Sequence, residues 1–117
     1  MKRIKTYNGL IYNLTKEISR GRLLDSNRVE RGIGKSCLLY WIAYNTSYKI
    51  ITKTKQQAKM FNKEFKTDIY HSIGEDLRGR NFKKVLLEEG LSLEDEKTCR
   101  QLFDVVGGYS LNYKGGK

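Results

Sequence analysis

The stretch Gly32-Ile33-Gly34-Lys35-Ser36-Cys37-Leu38-Leu39-Tyr40-Trp41-Ile42-Ala43-Tyr44 decides how this chain folds. It opens with two glycines separated by one residue, and glycine allows backbone turns that other residues resist. The residues from Cys37 to Tyr44 are apolar on nearly every helical face, which predicts a helix buried on more than one side. The sequence therefore predicts a glycine turn that leads directly into a core helix.

The residues before this stretch predict a helix, a short strand and a loop. Apolar residues recur at the spacing of one helix face and are followed by a possible helix stop at Gly21: Tyr7, Leu10, Ile11, Leu14 and Ile18. Residues 22–24 could form a short strand. The polar residues 25–34 read as a loop that ends at the glycine turn.

The residues after the stretch predict alternating strands and helices. Strands are expected at 48–54, more weakly at 68–71, at 82–87 and at 105–106, with Gly107 and Gly108 inside or beside the last one. Ala58, Phe61 and Phe65 form one apolar edge of a helix. Ser92 and Asp95 have the spacing of a capping box, which opens a helix through about residue 103.

This order predicts the fold class. A helix is followed by about three strand–helix units and a final strand, which favours a mostly parallel sheet with helices on both faces. The length of 117 residues fits one domain. We therefore expect an α/β, three-layer domain of minimal size over 1–117, with an N-terminal helix at 1–21, a core at 22–113 and a flexible tail at 114–117.

Charge and composition restrict the possible partners. The net charge is +10, and residues 1–66 hold 15 basic and 4 acidic residues, against 8 and 9 in residues 67–117. This asymmetry suits a polyanion, and equally a basic, solvated surface. The sequence contains no run of about 18 apolar residues that would predict a membrane span, and no apolar signal core follows the basic N-terminus. We therefore expect a cytoplasmic protein.

The cysteines and the histidine do not form a zinc motif. Cys37 and Cys99 lie far apart, neither belongs to a CxxC pair, and His71 is the one histidine. We expect two reduced, buried thiols.

The glycine turn has the composition of a phosphate-binding loop. Glycines let backbone N–H groups face an anion, and the N-terminus of the following helix adds a positive dipole. The motif resembles the Walker A motif of P-loop NTPases, which implies nucleotide binding by the six residues Gly32, Ile33, Gly34, Lys35, Ser36 and Cys37. The resemblance assigns Lys35 to the β- and γ-phosphates. The family has a glycine where this chain has Val29, although a shortened Arg-Gly-x-Gly-Lys-Ser core of phage-type loops looks similar.

A second motif follows 53 residues after Lys35. Val85-Leu86-Leu87-Glu88-Glu89 resembles a Walker B strand, an apolar strand that ends in two acids. The resemblance implies that Ser36 and Glu88 hold Mg²⁺ and that Glu89 orients or deprotonates the attacking water. The usual first acid is aspartate, so Glu88 is a second departure. An exposed acidic strand end is the alternative interpretation.

A third segment resembles the part of helicases and terminases that touches a nucleic-acid backbone. It runs from Ile50 to Ala58 and offers Lys53 and Lys55, with Lys59 one turn further. Thr, Lys and Gln donors at a helix N-terminus suit phosphate contacts with DNA or RNA. A solvated basic helix face is an equally good interpretation.

Together the motifs predict binding of ATP with Mg²⁺ and its hydrolysis, coupled to nucleic acid or to a nucleoprotein partner. A one-lobe ATPase would need help at the γ-phosphate, so a homo-oligomer or a protein partner is expected, and Arg78, Arg80 and Arg100 are candidate arginine fingers. The composition suits a phage or mobile-element protein. Two alternatives stay open: a non-catalytic module that binds nucleic acid or inhibits a nucleoprotein complex, favoured by Val29 and Glu88, and a small nucleotide kinase.

Overall fold

Four α-helices and five β-strands follow one another along residues 2–113, the part of the chain that this computed structural model describes. The elements are α1 Tyr7–Ser19, β1 Leu24–Asp25, α2 Lys35–Thr46, β2 Lys49–Thr52, α3 Lys55–Phe65, β3 Tyr70–Ser72, β4 Lys84–Leu87, α4 Leu93–Leu102 and β5 Asp104–Ser110. The predicted α/β class is confirmed. The predicted tail at 114–117 lies outside the described residues.

All strand pairs of the sheet are parallel, in the order β1-β5-β4-β2-β3. The carboxyl ends of all five strands therefore meet at one edge of the sheet, which is where α/β proteins place their ligands. The segments that follow β1, β2 and β4 contain the glycine turn, Lys53 and the acids Glu88 and Glu89. The topology thus brings the three sequence motifs to the same edge.

Apolar side chains cover both faces of the sheet. Leu10 and Leu14 of α1 share one core with Leu38 and Leu39 of α2 and with Ala58 of α3. On the opposite face a second core surrounds Cys99 of α4. The helices therefore lie three on one face and one on the other, as the predicted three-layer arrangement requires.

Side-chain caps explain where three helices begin. Thr6 and Thr54 accept hydrogen bonds from the backbone of the first turns of α1 and α3. Ser92 and Asp95 form the capping box that the sequence predicted for α4. The apolar edge of α3 is confirmed, since Ala58 is buried and Phe61 and Phe65 are half-buried.

The burial of α2 differs from the prediction. Leu38, Leu39 and Ala43 are buried, but Trp41 is 56% exposed and Tyr44 is 64% exposed. The helix forms an outer layer on a sheet, so only one side meets a core. The prediction of two buried thiols is likewise wrong for Cys37, which is exposed on the same outer side, and confirmed for Cys99.

One element differs in detail from the prediction. As expected from the sequence, which placed no helix between the strands at 68–71 and 82–87, residues 73–83 form turns and bends between β3 and β4. The last strand is longer than predicted and contains both glycines. Gly108 has φ +128°, and a Cβ there would collide with the backbone of Leu87, so the close approach of β4 and β5 requires glycine. In residues 2–113 no helix is both long and apolar enough to cross a membrane.

Candidate nucleotide site

The glycine turn has the backbone geometry that an anion-binding helix start needs. Gly34 is the residue before α2 and has φ +102°, a left-handed conformation that strains other residues. No side chain caps this end of α2, so its first N–H groups face the sheet edge without a side-chain partner. Such N–H groups and the helix dipole attract phosphate. The ring of Tyr7 packs against Gly34 and would contact any Cβ there at 3.0 Å.

Val29 occupies the place where the Walker A pattern has its first glycine, and the structure shows its role here. After β1 the chain makes a single 3-10 turn, Ser26–Arg28, instead of entering the loop directly. Val29 is 4% exposed and forms a parallel bridge with Ile4. The N-terminal segment thus anchors the loop through backbone hydrogen bonds, and these bonds do not require a glycine in place of Val29. The tight turn is confined to Gly32 and Gly34.

The side chains of Lys35, Ser26 and Glu89 meet at the mouth of this loop. The Lys35 ammonium forms an ion pair with Oε1 of Glu89 and lies 3.3 Å from Oγ of Ser26. The Ser26 hydroxyl donates a hydrogen bond to the same carboxylate oxygen. One oxygen of Glu89 therefore holds two donors that come from two different segments.

The charge of Glu89 is stabilised at this position. Partial burial opposes the charged form, but hydrogen bonds from Lys35 and Ser26 and the charges of Lys35 and Arg31 outweigh it. The pKa of the Glu89 carboxyl therefore lies below its ordinary value. A carboxylate is the form that could accept a proton from a nearby water.

Glu88 occupies a different environment although it is the next residue. It is 4% exposed, and its Oε1 accepts a hydrogen bond of 3.0 Å from the backbone N–H of Glu89. Its Oε2 is buried and has no hydrogen-bond partner. Burial is the largest influence and raises the pKa of Glu88, while the Ser36 side chain and the Lys35 charge favour the charged form.

An unpartnered, buried carboxylate oxygen is costly unless something binds it. The Ser36 side chain is close enough to Glu88 to favour its charged form, so a hydroxyl and a carboxylate would be available to one cation. Residues 2–113 contain no cluster of three or more His, Cys, Asp or Glu side chains suited to a metal. A Mg²⁺ ion that is held mainly by phosphate oxygens needs only one or two protein ligands, and Ser36 with Glu88 fits that requirement.

The sequence alone assigned no role to three residues near this site. Ser26 looked like one polar residue of a loop. Arg31 precedes the glycines, and its charge favours the charged form of Glu89. Tyr109 is buried in the last strand and donates a 2.8 Å hydrogen bond to the carbonyl of Lys35. Arg31 belongs to the Arg-Gly-x-Gly-Lys-Ser core noted in the sequence, whereas no local signal marks Ser26 or Tyr109.

The three lysines predicted to contact nucleic acid lie near the same sheet edge but differ in whether an acidic side chain pairs with them. Lys53 is 3.6 Å from Oδ2 of Asp95, so part of its charge is neutralised. Lys55 and Lys59 are exposed and line a cleft of about 390 Å³ together with His71 and Arg80. This cleft lies at the edge of the sheet formed by β3, beside the carboxyl end of β2.

The three candidate arginine fingers are not brought to the glycine turn. Arg78 pairs with Asp76 at 3.4 Å, and Arg80 pairs with Glu75 at 2.6 Å, both in the segment after β3. Arg100 lines a cleft of about 510 Å³ between α4 and the end of β5. Lys35, Ser36 and Glu89 are half-buried, so the site at the glycine turn is only partly shielded from solvent.

Comparison with protein-family models, curated proteins and solved structures finds no match to this chain.

Proposed function

We propose that this chain binds ATP at the Gly32–Ser36 loop and hydrolyses it with Mg²⁺. The observation that carries the proposal is the meeting of Lys35, Glu88 and Glu89 at the uncapped start of α2. Two motifs that lie 53 residues apart in the chain are thus next to each other in space. A chance glycine turn would not require acids and a lysine to converge there.

The phosphates of the nucleotide would bind to the N-terminus of α2. The free N–H groups of this helix end donate to phosphate oxygens, and Lys35 adds a positive charge at the β- and γ-phosphates. To do so, its ammonium has to leave the Glu89 carboxylate. Arg31 is close enough for its charge to act on Glu89, so it would add positive charge on the γ-phosphate side.

Glu89 is the general base of the proposed reaction. A water oxygen attacks the γ-phosphorus, the bond from that phosphorus to the β,γ-bridging oxygen breaks, and the products are ADP and inorganic phosphate. The Glu89 carboxylate accepts the proton that the attacking water loses and releases it afterwards to solvent. Glu88 and Ser36 would hold Mg²⁺, which neutralises charge on the β- and γ-phosphates.

We further propose that nucleic acid is the partner at this sheet edge. Lys55 and Lys59 are exposed in the first turns of α3, and β2 carries this segment to the edge where the nucleotide would bind. Lysine and arginine side chains that contact phosphates supply sequence-independent affinity. A polyanion bound there would lie beside the nucleotide, where it could influence turnover.

The proposal is tested by two substitutions in the purified chain. Lys35→Ala should abolish ATP binding in an equilibrium titration while circular dichroism and the melting temperature show a folded protein. Glu89→Gln should bind ATP but hydrolyse it about 10²-fold or more slowly, because the amide keeps the shape and loses the base. Phosphate release with and without Mg²⁺ measures the second effect.

A matched control is Glu30→Gln, which removes one negative charge from the exposed part of the same loop. It should leave ATP binding and turnover close to those of the parent chain. If Lys35→Ala binds ATP as well as the parent does, the loop is not a phosphate site. If ATP binding depends on Lys35 but the parent chain does not hydrolyse ATP, either with or without nucleic acid, the chain is a nucleotide-binding module and not an ATPase.

A further inference from the structure

We infer that Ser26 is a positioning residue that holds the Glu89 carboxylate in place once a nucleotide has drawn Lys35 away from it. The inference rests on the proposed function, because it concerns the residue proposed there as general base. Nothing in the sequence motifs assigns a role to Ser26, which lies nine residues before Lys35 in the turn after β1.

The first observation is the geometry of the Ser26 hydroxyl. It donates to Oε1 of Glu89 and at the same time lies 3.3 Å from the Lys35 ammonium. Ser26 is 3% exposed although serine is an ordinary surface residue. A buried hydroxyl that reaches a carboxylate across 63 residues of sequence has a defined partner and a fixed direction.

The second observation is that the two donors on Glu89 differ in mobility. Lys35 has a long side chain with four rotatable bonds, and the nucleotide phosphates compete for its charge. Ser26 has one side-chain torsion, and its backbone is fixed in the 3-10 turn by the hydrogen bond from Val29 N–H to its carbonyl at 3.1 Å. When Lys35 moves to phosphate, the Ser26 hydrogen bond is the restraint on Glu89 that stays.

The two donors therefore hold Glu89 in different states of the chain. In the nucleotide-free chain the ion pair with Lys35 and the hydrogen bond from Ser26 both hold Glu89. In the nucleotide complex Ser26 alone orients the carboxylate toward the water that it deprotonates. A general base that is displaced by about 1 Å can lose on the order of 10²-fold in rate, so removal of this hydroxyl should act on turnover and not on binding.

The chain contains a matched control for this residue. Ser110 is also 3% exposed, lies at the carboxyl end of the neighbouring strand β5 and donates a 2.7 Å hydrogen bond to a carboxylate, that of Glu96. Ser110→Ala therefore removes the same group from an equally buried position without touching Glu89. A general loss of stability would affect both variants, whereas a loss of positioning would affect only Ser26→Ala.

The experiment measures ATP affinity, kcat and melting temperature for the parent, Ser26→Ala, Ser110→Ala, Glu89→Gln and the double variant Ser26→Ala/Glu89→Gln. We expect Ser26→Ala to bind ATP within about twofold of the parent and to lower kcat by roughly 10- to 100-fold. Ser110→Ala should keep the parent kcat. In the Glu89→Gln background Ser26→Ala should cause no further loss, because the base that it positions is already absent.

Three results would overturn the inference. A parent-like kcat in Ser26→Ala, with Glu89→Gln inactive, leaves the proposed ATPase intact and removes the role of Ser26. Equal losses of kcat from Ser26→Ala in the parent and in the Glu89→Gln background show that Ser26 acts on another group. If the parent chain itself does not hydrolyse ATP, the proposed function fails first, and the role of Ser26 fails with it.

Discussion

Replacing Glu89 by glutamine should tighten nucleotide binding while it slows hydrolysis. In the nucleotide-free chain Lys35 is paired with Glu89, so phosphate has to compete with a carboxylate for the ammonium group. Glutamine keeps the size of the side chain and removes the charge. The lysine is then free to meet the phosphates without the loss of an ion pair.

The structure sets the size of this effect. A hydrogen bond to a charged group contributes about 1.5–3 kcal/mol, and an exposed ion pair only about 0.2–1 kcal/mol. The Lys35 and Glu89 side chains are 21% and 33% exposed, so their pair lies between these limits. A contribution of about 1–2 kcal/mol corresponds to roughly 5- to 30-fold tighter binding.

The assay is an equilibrium titration with a slowly hydrolysed ATP analogue, by calorimetry or by fluorescence anisotropy. Glu30→Gln changes the net charge by the same amount at an exposed position of the glycine loop, so it reports the nonspecific part of the change. Unchanged or weaker binding by Glu89→Gln would show that the Lys35–Glu89 pair does not compete with the nucleotide, and the reasoning would be refuted.

Three further predictions test the fold and the basic edge. Glu75→Gln should lower the melting temperature at neutral pH, in thermal unfolding at several pH values, because burial opposes the charged form of Glu75 but its hydrogen bonds and the charges of His71 and Arg80 outweigh burial and hold its pKa below the ordinary value. This contribution is fully present above the ordinary value of about 4.3 and is lost as the pH falls through the lower folded-state pKa. Gly108→Ala should destabilise the chain by more than about 3 kcal/mol in urea unfolding, because its Cβ meets the backbone of β4. The control Gly79→Ala, at φ +83° with open space around it, should cost only about 1–2 kcal/mol. Similar losses of stability in the two variants would contradict the packing argument. Replacing Lys55 and Lys59 together by glutamine should make the log–log salt dependence of nucleic-acid binding shallower by up to roughly two units at unchanged ATP affinity, and an unaltered slope would place the nucleic acid elsewhere.

Local sequence patterns were sufficient for the elements and for the position of the motifs. The capping box at Ser92 and the apolar edge of α3 depend on residues within one or two turns, so the sequence alone could predict them. The parallel sheet followed from the alternation of strands and helices. Parallel strands then place Lys35 and Glu89 at one edge, which is the part of the site that the sequence could predict.

Features that depend on distant contacts could not be predicted in the same way. The contact between Ser26 and Glu89 joins residues 63 positions apart, and no pattern near Ser26 indicates it. The apolar composition of α2 shows that the helix has apolar sides but not how many of them another element covers. For this reason the sequence predicts a helix that is buried on more than one side, whereas the side that carries Trp41 is exposed. The role of Val29 depended on its bridge to Ile4, which composition cannot reveal.

The bond between Tyr109 and Lys35 has a consequence for the order in which the chain can fold. It joins the helix start of the glycine turn to the last strand, across 74 residues, and β1 pairs with no strand other than β5 in the described sheet. Closing such a long loop is slow, and the segments that pair locally form earlier. During synthesis the glycine turn must therefore wait for residues 104–110 to leave the ribosome before it can take its final shape. A nascent chain that stops before β5 would contain both the glycine turn and Glu89 and still not hold them in their final arrangement.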